Sequence, residues 1–426
     1  MQVKSASKKI PVYLAMIVKI PTVMTAALIA LLAWVTITQP YNNSPPIRSD
    51  GAGYHVWVYG FKNLDFTFCK YKELLDPTES ISFVNKDKNV CGVKYPSGVG
   101  LFQYPFVAYW TIDDARLGYS NGEHLAVLWL GAALLLLTSF FSFKTLKLLG
   151  CSPLISLVAI GSFIFGSGLF HYSTYDASFS HIYSAFGTSA LLWLAIRSKT
   201  IGWSFSSIVF FGLLVFWLYM VRQTNGAITL AVVILISNSL KNNMYKIQSL
   251  LVWASATAGG ILVQFAYNYY VTGEIRISSY GQEEFVDIGK YFYNVLLSYE
   301  RGLITYYPVY LFTVLLAACV WRSLVTYGFI ALIIIFTILY GSWHSWFLGG
   351  GMGHRGFVEL APFGILVLGM SLNQLHKEKL VVLIPILIVC CYITTMVMIG
   401  YWRGTFPFTG ATASTYWSHL LPFFIK

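Results

Sequence analysis

Residues 122–143, GEHLAVLWLGAALLLLTSFFSF, decide the expected fold of this chain. Beyond its first three residues the run is almost wholly apolar, and a helix of about 20 residues crosses the roughly 30 Å hydrocarbon layer of a bilayer. Runs of similar length recur on both sides, in a chain that is 57% hydrophobic and 11% charged with a mean hydropathy of +0.65. Soluble domains carry about 25% charged residues. The sequence therefore predicts an all-α polytopic membrane protein.

The apolar runs predict eleven transmembrane helices in a single domain that covers residues 1–426. No signal peptide is expected, because the first run is long and no small-residue cleavage site follows it. The predicted spans are 18–39, 122–143, 153–170, 179–196, 204–221, 226–240, 248–270, 303–320, 324–343, 357–375 and 380–400.

Basic residues are distributed unevenly between the two sides of this topology. With the N-terminus inside, the cytoplasmic segments carry twelve Lys and Arg residues and one acid, Glu378, whereas segment 40–120 carries eight basic and eight acidic residues. The positive-inside rule then places 40–120 on the outer side, and eleven spans place the C-terminus there too. The net charge of +11 forms no basic stripe with interleaved aromatics, which argues against a nucleic-acid partner.

The outer side holds the three longest polar regions, which are 40–120, 271–302 and the glycine-rich 344–357. Long loops are usually functional, so we expect the active chemistry there, although loops that only cap the bundle are the open alternative. The centres of the predicted spans contain no Asp, Glu, Lys or Arg. Coupled transporters normally place charged groups near the membrane midplane, so this pattern argues against transport.

Two cysteines of the first outer loop, Cys69 and Cys91, are candidates for a disulfide. An outer compartment permits the bridge, which would stabilise the loop by about 3 kcal/mol. Two free thiols are the alternative.

Two motifs of segment 40–120 carry candidate catalytic and binding groups. Asp50, in RSDGAGYH (48–55), lies between the membrane and two glycines and could act as a general base, or it could simply occupy a turn or helix N-cap. Lys94 opens KYPSGVGLFQYPF (94–106), whose apolar part is too short to span and predicts an interfacial helix. Lys94 would meet a lipid phosphate at headgroup level, or snorkel there without function.

Later turns on the outer side supply further polar groups. The stretch HYSTYDASFSHIY (171–183) combines hydroxyls, imidazoles and aromatic faces, which suit a sugar. RQTN (222–225) forms a tight turn that contains Arg222. In GGGMGHRGF (349–357), Arg355 in a glycine-rich loop at a helix start predicts an anion site, with a flexible loop and a surface arginine as the alternative.

Together these motifs resemble the C-type superfamily of polytopic glycosyltransferases, which use polyprenyl-phosphate sugars, and in particular its bacterial branch. The resemblance is carried by SDGAGYH (49–55), KYPSGVGLFQYPF (94–106), DASFSHIYSAF (176–186), RQTN (222–225) and GGGMGHRGF (349–357). It implies that Asp50 is the catalytic base and that the first outer loop contains interfacial helices. Many members carry a second acidic motif late in that loop, for which Asp113 and Asp114 are the uncertain counterparts. The sequence contains no dedicated metal cluster, so a divalent cation is an open alternative and no other cofactor is indicated.

The expected function follows from the resemblance and from the outer location, where nucleotide sugars are absent. A sugar would pass, with inversion, from a polyprenyl phosphate such as undecaprenyl phosphate to a glycan, a lipid-linked saccharide or lipopolysaccharide. The enzyme would lie in the bacterial inner membrane with its site facing the periplasm, and 271–302 could close as a lid. The alternatives are a non-enzymatic lipid-linked saccharide transporter and an O-antigen polymerase or ligase. The residues expected to bind the donor phosphate are Lys94, Arg222 and Arg355, and those expected to contact the substrates are Tyr54, His55, Tyr95, Asp176, His181, Tyr183 and His354.

Overall fold

The computed structural model describes residues 26, 29–37, 46–75, 81–85, 90–112, 114–239, 243–276, 280 and 283–421. Most of these residues are α-helical. The helices are α1 (29–37), α2 (Asp50–His55), α3 (Trp57–Asn63), α4 (Gly98–Val107), α5 (Asn121–Leu148), α6 (Pro153–Gly166), α7 (His171–Thr174), α8 (Ser180–Ile201), α9 (Phe205–Val221), α10 (Asn225–Ser239), α11 (Asn243–Thr272), α12 (Phe292–Leu297), α13 (Leu303–Tyr306), α14 (Pro308–Val320), α15 (Leu324–Gly341), α16 (Ala361–Asn373), α17 (Lys377–Trp402) and α18 (Ala413–Leu420).

Several of the helices are suited to a membrane. Each of the eleven predicted spans overlaps a helix, although 18–25, 27–28 and 38–39 of the first span lie outside the described residues. The five described helices that are long and apolar enough to cross a bilayer are Asn121–Leu148, Lys246–Thr272, Leu324–Gly341, Arg355–Asn373 and Lys377–Trp402. Four further described helices are apolar but only 10–17 residues long, so length and composition alone do not establish eleven crossings.

Serine N-caps explain where several of the long helices begin. Ser120 and Glu123 form a capping box at the start of α5: the Ser120 hydroxyl accepts from the Glu123 N–H at 3.1 Å, and Glu123 accepts from the Ser120 N–H at 2.7 Å. Ser152, Ser204 and Ser323 cap α6, α9 and α15 with one such bond each: the serine hydroxyl accepts from the backbone N–H three residues later. Each cap satisfies backbone donors that have no partner within the helix.

Two predicted spans are interrupted near their N-terminal ends. The span predicted over 303–320 is split into α13 and α14 at Tyr307, because the ring of Pro308 disfavours α conformation in the preceding residue. The span predicted over 357–375 starts as a 3-10 helix over Arg355–Leu360 and becomes α-helical at Ala361. Both interruptions place irregular backbone beside the outer loops.

The mostly helical fold confirms the predicted class, but the described part of segment 40–120 also contains a short hairpin that the sequence did not predict. This first outer region contains α2, α3, α4, three 3-10 turns (Cys69–Leu74, Ala108–Trp110, Ala115–Leu117) and an antiparallel hairpin of β1 (Ile81–Asn85) and β2 (Val90–Val93). A disulfide joins Cys69 to Cys91 of β2, the pairing that the sequence suggested. The β-branched residues of both strands favour extended backbone, and the disulfide holds the hairpin against the Cys69–Leu74 turn.

The second outer region is tied to the end of α15. The Val286 N–H donates to the Ser342 carbonyl at 2.7 Å, and the Tyr291 N–H donates to the Gly341 carbonyl at 2.8 Å. Helix α12 also packs on α15. In the bundle beneath, α5 packs on α8, α9 on α11, and α6 on α16 and α17, with α16 almost wholly buried.

Candidate active site

Asp50 and Arg355 meet although they are far apart in the chain. Asp50 is the first residue of α2, and Arg355 opens the 3-10 helix that follows the glycine-rich loop. The Arg355 Nη2 and Asp50 Oδ2 atoms are 2.6 Å apart, with side-chain exposures of 9% and 20%. The structure therefore brings the candidate base, Asp50, into contact with the candidate anion-binding residue, Arg355, at a position where both side chains are mostly buried.

The backbone around Asp50 is tightly constrained. Ser49 has a φ of 46°, which is unfavourable for a residue with a side chain. Gly51 packs so closely on Ser178 that a Cβ at Gly51 would lie 1.9 Å from the Ser178 Oγ atom. The close packing of the turn 171–183 thus requires a glycine at position 51. The same packing fixes the position of the Asp50 carboxylate.

Three tyrosines surround the Asp50 carboxylate. The Tyr54 and Tyr95 rings are 4.6 Å apart between centroids, and the Tyr95 and Tyr280 rings are 6.2 Å apart. Burial, followed by the charge of Asp50 and a hydrogen bond to it, raises the pKa of Tyr95 well above its usual range. Tyr95 therefore stays protonated and can donate to Asp50.

Lys94 has an acid partner that the sequence did not predict. Its Nζ atom is 2.7 Å from the Glu283 Oε1 atom and lies over the rings of Tyr95 and Tyr280. This ion pair links the first outer region to the second one. Because Lys94 already has an acid partner, it is a weaker candidate for the donor phosphate than the sequence suggested.

A second, mostly buried cluster consists of Arg222, His181 and Glu359. The Glu359 Oε1 atom is 3.2 Å from Arg222 Nη1 and 3.1 Å from His181 Nδ1, while Glu359 Oε2 is buried without a hydrogen-bond partner. The Tyr54 hydroxyl is within electrostatic range of Arg222, Arg355 and Asp50 and thereby connects the cluster to the Asp50 pair. Glu359 was not among the site residues that the sequence predicted.

The glycine-rich loop is held in place by tyrosine hydroxyls. Tyr172 and Tyr307 both donate to the Met352 carbonyl, at 3.1 and 2.8 Å. Gly353 has a φ of +59°, and a Cβ there would lie 2.4 Å from the Tyr307 hydroxyl. His354 is within hydrogen-bond distance of the Trp346 carbonyl, at 3.1 Å from Nε2, and burial lowers the pKa of His354 to about 3. His354 is therefore neutral, and Arg355 supplies the charge of this loop.

Asp176 has a structural environment that differs from the predicted sugar contact. Its Oδ1 atom is 2.9 Å from Arg48 Nη2, and its Oδ2 atom is 2.9 Å from His171 Nε2. The Trp402 indole donates to His171 Nδ1 at 2.8 Å, so Nε2 carries the proton and donates to Asp176. Burial acts to raise the pKa of Asp176, but Arg48 and His171 outweigh it and lower the pKa to about 2. Asp176 is 1% exposed and both its oxygens are engaged.

His55 and Tyr183 lie in a different buried network. His55 Nδ1 is 2.7 Å from Gln103 Oε1, and His55 Nε2 is 3.3 Å from Glu123 Oε1. Gln103 in turn donates to the Tyr183 hydroxyl at 2.8 Å. All four side chains are fully buried and cross-link α2, α4, α5 and α8, so the structure separates His55 and Tyr183 from the contacts of Asp50.

Asp114, the described residue of the second acidic motif, lies in an exposed ion pair and not in the Asp50 cluster. Asp113 lies outside the described residues. Asp114 is 43% exposed and pairs at 2.9 Å with Arg116, itself 78% exposed. Within the described chain no group of three or more His, Cys, Asp or Glu side chains is placed to hold a metal.

The assembled groups are a mostly buried carboxylate, two mostly buried guanidinium groups and tyrosine hydroxyls, a set able to take a proton and to stabilise an oxyanion. No protein-family model, curated protein or solved structure matches the chain.

Proposed function

We propose that this chain is a membrane glycosyltransferase that moves a sugar from a polyprenyl phosphate to a glycan or lipid-linked acceptor. The observation that supports this proposal most is the 2.6 Å contact between Asp50 and Arg355, with Arg222 close by. A base next to two cations suits a reaction in which one oxygen loses a proton while another gains negative charge.

The proposed reaction is a single displacement. Asp50 takes the proton of an acceptor hydroxyl, whose oxygen attacks the anomeric carbon of the donor sugar. The bond from that carbon to the phosphate oxygen breaks, and polyprenyl phosphate leaves with the electron pair. Arg355 and Arg222 stabilise the charge that grows on the leaving phosphate. One displacement inverts the anomeric configuration.

The neighbouring residues have supporting roles in this proposal. Glu359 and His181 orient Arg222, and the Tyr172 and Tyr307 hydroxyls hold the loop that presents Arg355. The Lys94–Glu283 pair keeps the second outer region against the site. Tyr54, Tyr95 and Tyr280 offer rings and hydroxyls to a sugar.

We further propose eleven crossings of a bacterial inner membrane, with an inner N-terminus and the Asp50 site at the periplasmic face. The five long apolar helices and the excess of basic residues in the inner segments support this topology. Apolar side chains exposed on and just after α4, including Leu101, Phe106, Tyr109 and Trp110, suit a helix that lies in the outer interface.

Transfer of label tests the proposal. The purified protein is incubated in detergent or liposomes with radiolabelled polyprenyl-phosphate sugars and an extract of envelope glycolipids as acceptor. The proposal requires label in an acceptor and release of polyprenyl phosphate. Movement of intact donor across liposomes without any cleavage would instead support a lipid-linked saccharide transporter.

A further inference from the structure

Arg301 is the largest of the fully buried side chains in the described chain, with 1% of its surface exposed. The tight turn between α12 and α13 holds it: the Gly302 N–H donates to the Ser298 carbonyl at 2.7 Å, and a Cβ at Gly302 would lie 2.6 Å from that oxygen. The Tyr306 hydroxyl donates to the Tyr299 carbonyl at 2.7 Å and fixes the same turn. A rigid backbone thus places a guanidinium inside the protein.

Much of the hydrogen-bonding capacity of this guanidinium is unused. Arg301 Nη1 donates to the Glu300 carbonyl, but Nε and Nη2 are buried without a hydrogen-bond partner. The adjacent Glu300 carboxylate accepts from the Gly410 N–H at 3.2 Å instead, and no acid in the described residues forms an ion pair with Arg301. Nε and Nη2 form the fork that binds carboxylates and phosphates with two parallel hydrogen bonds.

The surroundings of Arg301 are polar, and the Tyr306 hydroxyl lies beside its guanidinium. Tyr307, Tyr401 and His354 lie within electrostatic range of its charge, and His354 is neutral. Tyr307 also holds the Met352 carbonyl, so the Arg301 environment adjoins the glycine-rich loop that carries Arg355. Buried charges in proteins are normally paired, so an unpaired arginine with a free fork indicates a missing anion.

We propose that Arg301 is a second oxyanion site, separate from the donor-phosphate site at Arg355 and Arg222, and that it takes a phosphate or carboxylate group through Nε and Nη2. The assignment of the bound anion to a charged group of the acceptor rests on the proposed transferase function. The existence of the anion site at Arg301 does not depend on that function.

Thermal unfolding of the full-length protein in detergent tests the site without any sugar transfer. Inorganic phosphate is titrated at constant ionic strength in an Arg355→Gln background, which removes the donor-phosphate arginine. Adding Arg301→Met should weaken the apparent phosphate affinity at least tenfold. Arg301→Lys keeps the charge but loses the fork, so it should weaken the affinity about tenfold and serves if the Met variant does not fold. Arg116→Gln, at an exposed arginine, is the matched control and should leave the titration unchanged.

The melting temperature in phosphate-free buffer distinguishes a ligand site from a structural arginine. Arg301→Met should raise it, because the variant removes a buried charge that has no ionic partner. A lower melting temperature together with a phosphate affinity within twofold of the background would overturn the proposal. Glucose 6-phosphate and glucose then identify the source of the anion. Arg301-dependent stabilisation by the ester and none by glucose supports a substrate-borne group, whereas stabilisation by inorganic phosphate alone overturns the acceptor assignment.

Discussion

Replacing Asp176 by Asn tests whether this residue holds the scaffold or handles substrate. In the folded protein the pKa of Asp176 is lowered from 3.8 to about 2 by Arg48 and His171, against the opposing effect of burial. Since one unit of pKa shift corresponds to about 1.4 kcal/mol, the charged form of Asp176 contributes about 2 kcal/mol to stability at neutral pH. Asp176→Asn should therefore cost about that much, whereas Asp65→Asn, at a partly exposed pair with Lys70, should cost less than about 1 kcal/mol.

The stability difference between the parent and Asp176→Asn should depend on pH, and the lowered pKa of Asp176 sets the direction of that dependence. Because the pKa of Asp176 is depressed in the folded state, its contribution is complete above the unfolded value of 3.8 and is lost as the pH falls through about 2. The stability gap between the parent and Asp176→Asn should shrink from about 2 kcal/mol at pH 7 to about half of that at pH 3, measured by denaturant or thermal unfolding in detergent. A gap of the same size at pH 3, or unchanged stability with abolished transfer, would refute the structural assignment.

Three further predictions concern other parts of the molecule. Replacing Cys69 and Cys91 by Ser should lower stability by about 3 kcal/mol, and peptide maps of the parent should show the two cysteines linked unless reductant is added; free thiols in protein from an oxidising compartment would contradict this. Arg355→Gln should weaken binding of polyprenyl phosphate by about 1.5–3 kcal/mol and Arg355→Lys should recover only part, whereas parental binding in both would make Arg355 structural. Cysteines introduced at the exposed positions Lys72 and Lys199 should be labelled from opposite sides of the membrane, and labelling from one side would reject the topology.

The sequence predicted the elements of this protein better than their contacts. Apolar run lengths located a helix at every predicted span, because a long apolar helix is encoded locally. The breaks at Tyr307 and at Arg355–Leu360 were missed, since each sits inside an otherwise continuous apolar pattern. The hairpin was missed for the opposite reason: its strands of five and four residues are too short to give a clear periodicity.

Residue types in the outer loops identified Asp50 and Arg355, but not that they touch. Helix geometry explains two of the misassignments. Consecutive residues on a helix point about 100° apart, so Tyr54 lies by Asp50 while its neighbour His55 turns toward Gln103. Glu359 follows Arg355 by about one helical turn. Its contact with Arg222 joins distant parts of the chain, so no local pattern encodes it.

In the proposed reaction, Asp50 takes the proton of the acceptor hydroxyl. Asp50→Asn keeps the size of the side chain but cannot accept that proton, and general-base catalysis is typically worth 10²–10⁴ in rate. Turnover of radiolabelled polyprenyl-phosphate sugar should therefore fall by about 10²–10⁴, with Asp65→Asn close to the parent. Donor binding should persist, because Arg355 and Arg222 remain. Near-parental turnover by a folded, donor-binding Asp50→Asn protein would contradict the account.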